Sequence, residues 1–151
     1  MRTVDRIHIH APLANAFTVA SSVERWPTIL PHYRWVRFLE RRGGGGVVEM
    51  AAHRRFGLVA YPTWWVSEMT VDGGRAEIRY RHIRGITTGM NVVWRLVPAG
   101  DGVDVTIVHE WTGPRWPFIG RLAANLVIGP VFVHGIASRT LAGLKEHLET
   151  P

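Results

Sequence analysis

The alternation of hydrophobic and polar residues predicts a strand, two short helices and six further strands. Residues 3–10 alternate with the period of a β-strand. Pro12 suits the first turn of a helix that ends near Val23, and a second short helix holds Trp26 and Leu30 before Pro31. Period-two patterns then predict consecutive strands at residues 33–42, 46–56, 58–71, 75–83, 87–98 and 103–112.

Glycine-rich breaks separate these strands, and each has the composition of a hairpin turn. The break Gly43–Gly46, which consists of glycine alone, predicts a mobile loop. After Pro117, apolar residues recur every three to five positions, which is typical of an amphipathic helix. Gly129-Pro130 interrupts this run and predicts a kink or a break there.

This order of elements indicates an α+β helix-grip fold in one domain, residues 1–151. A seven-stranded curved antiparallel sheet surrounds a long C-terminal helix, with the two short helices after the first strand. One helix cannot fill the concave face of so many strands, so we predict a cavity between them. The length of 151 residues fits a single domain, and neither a linker nor a repeat divides the chain.

The composition narrows the possible classes of function. Hydrophobic residues make up 46% of the chain and charged residues 20%, which predicts an ordered core. The chain has no cysteine, no apolar signal segment and no membrane-spanning run, so we expect a cytoplasmic protein without stable membrane insertion. The net charge of +6 is spread along the chain, so nucleic acid is not an expected partner, whereas an acidic protein fits.

Strand alternation also predicts which side chains face the cavity. In the strand 58–71, Glu68 and Thr70 favour solvent, so the odd-numbered residues should point inward. The inward sets are Tyr61, Thr63, Trp65, Ser67 and Met69; Met90, Val92, Trp94 and Leu96; and Val103, Val105, Ile107, His109 and Trp111. Such a lining is typical of a pocket for a flat or apolar small molecule, although a plain core has the same composition.

Three segments of the chain resemble the polyketide aromatase/cyclases of bacterial type II pathways, in the START-like (SRPBCC) superfamily. They are Val23-Glu24-Arg25-Trp26-Pro27 followed by Tyr33, Trp65-Val66-Ser67-Glu68, and Met90-Asn91-Val92-Val93-Trp94. The resemblance covers nearly the whole chain and implies the helix-grip fold. By position it implies ligand-binding roles for Trp26, Tyr33, Trp65, Ser67, Met90 and Trp94. The inward patterns of strand and helix add Tyr61, Met69, Phe132 and Ile136.

The resemblance implies a cavity that folds a poly-β-ketone tethered to an acyl carrier protein, followed by aldol closure and loss of water. This chemistry needs a polarised carbonyl and a group that moves protons. The family has an arginine two residues after the serine of Trp-Val-Ser-Glu, whereas this chain has Met69, whose thioether can do neither. We therefore predict His109 as the proton shuttle and Tyr33 as the hydrogen-bond donor. Other side chains could reach inward if the register differs by one residue: Arg81, His53, Arg54 and Arg55.

Two classes of function stay open at this point, namely a cyclase and a non-catalytic carrier of a quinone, lipid or other apolar molecule. A cyclase needs at least one polar pair facing its ligand, whereas a carrier needs almost none. The chain has no phosphate-binding glycine motif and no nucleophile elbow, so no cofactor and no hydrolase chemistry are predicted. His8 and His10 share a face of the first strand, but no third ligand stands at a recognisable spacing, so no metal site is predicted.

Overall fold

The computed structural model describes residues 1–56, 58–114 and 133–151, except for the side chains of residues 54–56 and 59–61. Within this part of the chain, one antiparallel sheet has the strand order β1-β7-β6-β5-β4-β3-β2. Its strands are β1 (Arg2–Ile9), β2 (Tyr33–Arg42), β3 (Gly45–Phe56), β4 (Val59–Asp72), β5 (Glu77–Gly85), β6 (Asn91–Ala99) and β7 (Gly102–Glu110).

The helices occupy the predicted places in the chain. They are α1 (Leu13–Ser21), α2 (Trp26–Ile29) after a short 3-10 helix at Val23–Arg25, and α3 (His134–Glu149). Pro12 precedes α1 with an extended backbone, so its missing N–H removes no hydrogen bond from the helix. None of these helices is long and apolar enough to span a lipid bilayer. The predicted kink at Gly129-Pro130 lies outside the described residues.

The sheet curves around α3, which confirms the predicted α+β helix-grip fold. Sequential hairpins join β2 to β7, and β1 pairs with β7 from Arg2 opposite Glu110 to Ile9 opposite Val103. Three apolar side chains of α3 are buried on the concave side: Ala137, Leu141 and Leu144.

Only Gly43 and Gly44 of the glycine run 43–46 form the turn, which corrects the prediction of a four-residue mobile break. Gly45 and Gly46 belong to β3 and pair with the end of β2. At Gly46 the φ angle is 134°, and a Cβ would meet the carbonyl oxygen of Glu40 at 2.0 Å. The glycine is needed for this close approach of two strands beside an irregularity in their register.

The strand β6 begins later than the alternation predicts, because residues 86–90 form the turn from β5. Hydrogen bonds from Thr88 N to Gly85 O (3.2 Å) and from Met90 N to Thr87 O (3.0 Å) close this turn. Gly89 adopts a φ of 90°, which favours glycine. The turn lies at the end of the sheet where the cavity described below is exposed.

Candidate active site

A cavity of about 410 Å³ lies between the concave face of the sheet and α3. This volume is within the range of small-molecule sites, roughly 300–1,000 Å³. Most of its wall is apolar and comes from Trp26, Met50, Trp65, Met90, Val92, Trp94, Ile107, Val133, Ile136 and Ala137. The polar side chains on the wall are Tyr33 and Thr140 beside α3, Tyr80, His82 and His109 on the sheet, and Thr63 and Thr87.

An aromatic cluster that includes Trp26 of α2 forms part of the cavity wall. The ring of Trp26 lies 5.2 Å from that of Tyr33 and 5.5 Å from that of Trp94, between centroids. The Trp26 indole N–H donates a hydrogen bond to the carbonyl oxygen of Val19 at 3.2 Å. Because that bond satisfies its polar edge, Trp26 presents apolar ring surface to the cavity.

The polar group beside α3 consists of His32, Tyr33 and Thr140, and we call it the helix-side network. The Thr140 hydroxyl donates to the carbonyl oxygen of Ile136 at 2.8 Å, and its oxygen lies 3.0 Å from Nε2 of His32. Thr140 also forms a side-chain hydrogen bond with Tyr33. Since its single proton is given to Ile136, the Thr140 oxygen accepts from Nε2–H of His32. No side-chain polar atom of this network is among the described buried atoms that lack a hydrogen-bond partner.

Burial keeps the helix-side network uncharged at neutral pH. It raises the pKa of the Tyr33 hydroxyl to about 12, against a smaller opposing effect of the Thr140 hydrogen bond. It lowers the pKa of His32 to about 4, with a further lowering by the nearby charge of Arg139. The network therefore holds α3 against β2 without an ion pair.

The polar group on the sheet consists of Tyr80, His82 and His109, and we call it the sheet-side cluster. Nδ1 of His82 lies 2.6 Å from Oγ1 of Thr87, and its ring stacks on Trp65 at 5.9 Å with an interplanar angle of 13°. The Tyr80 hydroxyl and Nδ1 of His109 are buried, and neither has a hydrogen-bond partner among the described residues. Both residues belong to the wall of the largely apolar cavity.

The sheet-side cluster is also uncharged at neutral pH. Burial lowers the pKa of His109 to about 4, and burial together with the neighbouring His109 lowers the pKa of His82 to about 3. Burial raises the pKa of the Tyr80 hydroxyl well above its ordinary value, as does the proximity of Tyr33. An unpaired buried polar atom costs roughly 1–3 kcal/mol, which a ligand with a matching polar group would offset.

The mouth of the cavity is formed by Pro62 and Trp64 of β4 and by Gly85 and Ile86 at the end of β5. Trp64 is 40% exposed and Ile86 is 51% exposed, although both line the cavity. Alternation places Trp64 on the outer face, but the register between β4 and β5 shifts after Val66. The mouth is therefore apolar and open to solvent.

The structure brings many of the predicted site residues together on the cavity wall: Trp26, Tyr33, Trp65, Met90, Trp94, His109 and Ile136. Ser67 and Met69 are buried further along β4, where they pair with Val48 and Gly46, and they are not among the wall residues. The side chain of Tyr61 and the whole of Phe132 lie outside the described residues.

The alternative basic residues give no further group on the described wall. Arg81 is exposed, and the side chains of Arg54 and Arg55 lie outside the described part of the chain. His53 is half-buried and absent from the wall.

The wall residues that the sequence analysis missed include three with polar side chains in the two groups above: Tyr80, His82 and Thr140. The first two carry a clear signal, because Ile78, Tyr80 and His82 alternate with outward-facing arginines along β5. Thr140 follows Ile136 by four positions, which places both on one face of α3.

The comparisons with known proteins agree with this architecture. A protein-family model described as polyketide cyclase / dehydrase and lipid transport matches residues 9–130. None of the curated proteins matches the chain in sequence. The structure is similar to that of the Zhui aromatase/cyclase from Streptomyces sp. R1128, with 18% identity, a TM-score of 0.76 and coverage of 97% of this chain and 92% of that one.

Two further solved structures show the same fold. The protein TTHA0849 from Thermus thermophilus has 18% identity and a TM-score of 0.77, over 98% of this chain and 97% of that chain. A START superfamily protein from Mycobacterium smegmatis has 13% identity and a TM-score of 0.75, over 98% and 97%. At these identities the likeness shows the fold alone. Because the family match spans most of the chain, the protein belongs to the polyketide cyclase/dehydrase and lipid transport family.

Proposed function

We propose that the protein is a cyclase that catalyses aldol closure and dehydration of a poly-β-ketone bound in the cavity. The observation that carries this proposal is the sheet-side cluster. The Tyr80 hydroxyl and Nδ1 of His109 are buried polar atoms without partners among the described residues, and both residues line a largely apolar cavity. A donor that stays protonated and an imidazole that stays neutral are the two groups that aldol chemistry needs.

The first step in this proposal forms the new carbon–carbon bond. The Tyr80 hydroxyl donates to a ketone oxygen of the ligand, while His109 removes a proton from a methylene carbon between two carbonyl groups. The resulting enolate carbon attacks the polarised ketone carbon, and the ketone oxygen becomes an alkoxide. The proton held by His109 then passes to that alkoxide, so the imidazole is neutral again.

The second step removes water and forms a carbon–carbon double bond in the new ring. His109 takes a second proton from the carbon next to the new hydroxyl, and the carbon–oxygen bond breaks as the carbon–carbon double bond forms. The leaving hydroxide takes the proton from the imidazolium. The balance is one molecule of water lost per closure, with no oxidant or reductant consumed.

Tyr33, predicted as the donor, has a different part in this proposal. Its hydroxyl is hydrogen-bonded to Thr140, whereas the Tyr80 hydroxyl has no described partner, so Tyr80 takes the donor role. Tyr33 and Trp65, whose rings lie 6.2 Å apart, hold the flat part of the ligand against the wall. Met69, which stands at the position of the family's arginine, is absent from the described wall. In this proposal the sheet-side cluster polarises the ketone instead.

The mouth suits a substrate carried by an acidic protein. Arg84 is exposed directly beside Gly85, and Arg81 is exposed on the same strand. With a net charge of +6, this surface favours an acidic acyl carrier protein whose tethered chain enters through the apolar mouth. A cytoplasmic site for this reaction fits a chain without cysteine.

A second candidate function is the transport of an apolar molecule without chemistry. The description of the family includes lipid transport, and most of the cavity wall is apolar. A quinone or fatty acid would fill the cavity but would make no catalytic use of a protonated hydroxyl beside a neutral imidazole. We therefore favour the cyclase.

The test combines ligand binding with product analysis. The protein is titrated with a planar aromatic polyketide, an isoprenoid quinone and a fatty acid, with tryptophan fluorescence as the readout. We expect saturable quenching by the polyketide, which Trp65→Phe reduces. Trp35→Phe is the matched control, because Trp35 is absent from the described cavity wall and its indole donates to Glu49 at 3.0 Å.

Incubation with a carrier-bound poly-β-ketone then separates the two functions. We expect a cyclised product lighter by one water, detected by mass spectrometry. Preference for the quinone or the fatty acid, with no such product, would establish the transport function and remove the catalytic roles.

A further inference from the structure

A compact group of metal-binding side chains lies on the surface where β1 ends beside the turn between β6 and β7. The rings of His8 and His10 lie with centroids 4.8 Å apart. The Asp101 carboxylate joins them, with Oδ1 at 3.1 Å from His8 Nε2 and Oδ2 at 2.9 Å from His10 Nδ1. One ligand atom from each of these three residues lies within 4.8 Å of the others.

Strand pairing creates this group, which explains why the sequence spacing does not indicate it. β1 and β7 are adjacent in the sheet, and His8 is opposite Asp104 in their register. The turn that precedes β7 contains Gly100, with a φ of 57°, and carries Asp101 over the end of β1. The third ligand is therefore more than ninety positions away in the chain from the two histidines.

A second carboxylate orients the first histidine toward the group. Nδ1 of His8 lies 2.8 Å from Oδ1 of Asp104. When this nitrogen carries the proton, the lone pair of Nε2 faces Asp101 and the position between the ligands. A carboxylate that fixes the tautomer of a histidine in this way is the usual outer partner of a metal-binding imidazole.

The charges around the group match a divalent cation. Glu149 accepts a hydrogen bond from the backbone N–H of His10 at 2.8 Å and pairs with Lys145 at 2.6 Å. Lys145 also donates to the carbonyl oxygen of His8 at 2.8 Å, so its charge is already engaged. With Asp101 and Asp104, these described residues supply three carboxylates and one ammonium, and two negative charges remain.

We propose that His8, His10 and Asp101 bind a divalent transition-metal ion of the Zn²⁺ type, which ties the end of β1 to the β6–β7 turn. Two imidazole nitrogens and a carboxylate oxygen suit zinc, whereas calcium and magnesium prefer sites built from oxygen alone. The ion would have three protein ligands and a fourth position open to water. The site is exposed to solvent and shares no residue with the described cavity wall, so it is independent of the proposed cyclase function.

The test measures zinc binding to the full chain without a histidine tag, in competition with a chromophoric chelator. We expect one ion per chain. Each of His8→Ala, His10→Ala and Asp101→Asn should weaken binding by more than about 100-fold, because loss of an outer partner alone costs roughly 10–100-fold. Asp104→Asn should fall within that smaller range. His147→Gln is the control, since His147 is an exposed imidazole outside the group.

A thermal scan with and without Zn²⁺ gives a second measurement on the same variants. We expect zinc to raise the Tm of the original chain and of His147→Gln, and to leave the Tm of folded Asp101→Asn unchanged. Absence of saturable zinc binding by the original chain would overturn the proposal. So would zinc binding that persists unchanged in the three ligand variants, or Mg²⁺ binding of equal strength.

Discussion

The helix-side network and the sheet-side cluster contain the same kinds of side chain but differ in how their hydrogen bonds are completed. In the helix-side network, Thr140 accepts from His32, donates to the backbone and is hydrogen-bonded to Tyr33. In the sheet-side cluster, Thr87 meets only His82, while Tyr80 and His109 keep buried atoms without described partners. The paired side chains of the helix-side network therefore contribute to stability, whereas the unpaired polar atoms of the sheet-side cluster are available to a ligand.

The largest effect expected from this difference is on turnover when the imidazole of His109 is removed. His109→Gln should lower the rate of ring closure by roughly 10²–10⁴-fold, the usual contribution of a positioned general base, while ligand affinity changes little. The measurement is the initial rate of product formation from a carrier-bound poly-β-ketone. His32→Gln is the matched control and should retain turnover, because His32 belongs to the completed network. Equal losses in both variants would contradict the division between the two groups.

The second effect is a loss of stability in acid, to which His32 of the helix-side network contributes. The pKa of His32 is about 4 in the folded protein and near 6.5 when unfolded, so the unfolded chain binds more protons between these values. Stability should therefore fall as the pH drops from 6.5 to 4, by an amount of the order of 3 kcal/mol for this one group.

Urea unfolding at several pH values across this window measures the effect. His32→Gln should flatten the dependence, because glutamine can still donate to Thr140 but cannot take up a proton. A curve of unchanged slope in this variant would show that His32 is not buried in its neutral form. His147→Gln, on the exposed side of α3, serves as the control.

The third effect is on stability at neutral pH. Thr140→Val keeps the shape of the side chain but removes the hydrogen-bond partner of His32 and Tyr33, so we expect a loss of roughly 1–3 kcal/mol. Thr87→Val should cost less, because Thr87 is half-buried near the mouth and water can replace its hydroxyl. Urea denaturation of both variants measures the difference, and a larger loss in Thr87→Val would contradict it.

The pattern of residues predicted the fold well because alternation and glycine breaks are local signals. It placed Trp65, Trp94 and His109 on the concave face, where the structure has them on the cavity wall. Alternation predicts which face of the sheet a residue lies on, but not how far along the strand the cavity extends. Ser67 shares its face with Trp65 and lies beyond the described wall.

Contacts between distant segments could not be predicted from the same signals. The pairing of Thr140 with His32 depends on how α3 crosses the sheet, over 108 positions of sequence. The position of Asp101 beside His8 depends on the closure of β1 onto β7. In both cases the residue types are visible in the sequence, but their neighbours are set by the tertiary structure.

The smallest effect, and the most direct test of the comparison, comes from replacing Tyr33 or Tyr80 by phenylalanine, which removes the hydroxyl group. Tyr33→Phe loses a completed hydrogen bond to Thr140, so we expect the free energy of unfolding to fall by about 1 kcal/mol. Tyr80→Phe removes a buried hydroxyl without a described partner, so the free energy of unfolding should stay the same or rise slightly. Turnover should respond in the opposite order, falling more in Tyr80→Phe. If both variants lose equal stability, the Tyr80 hydroxyl is hydrogen-bonded within the folded protein and is not held ready for a ligand.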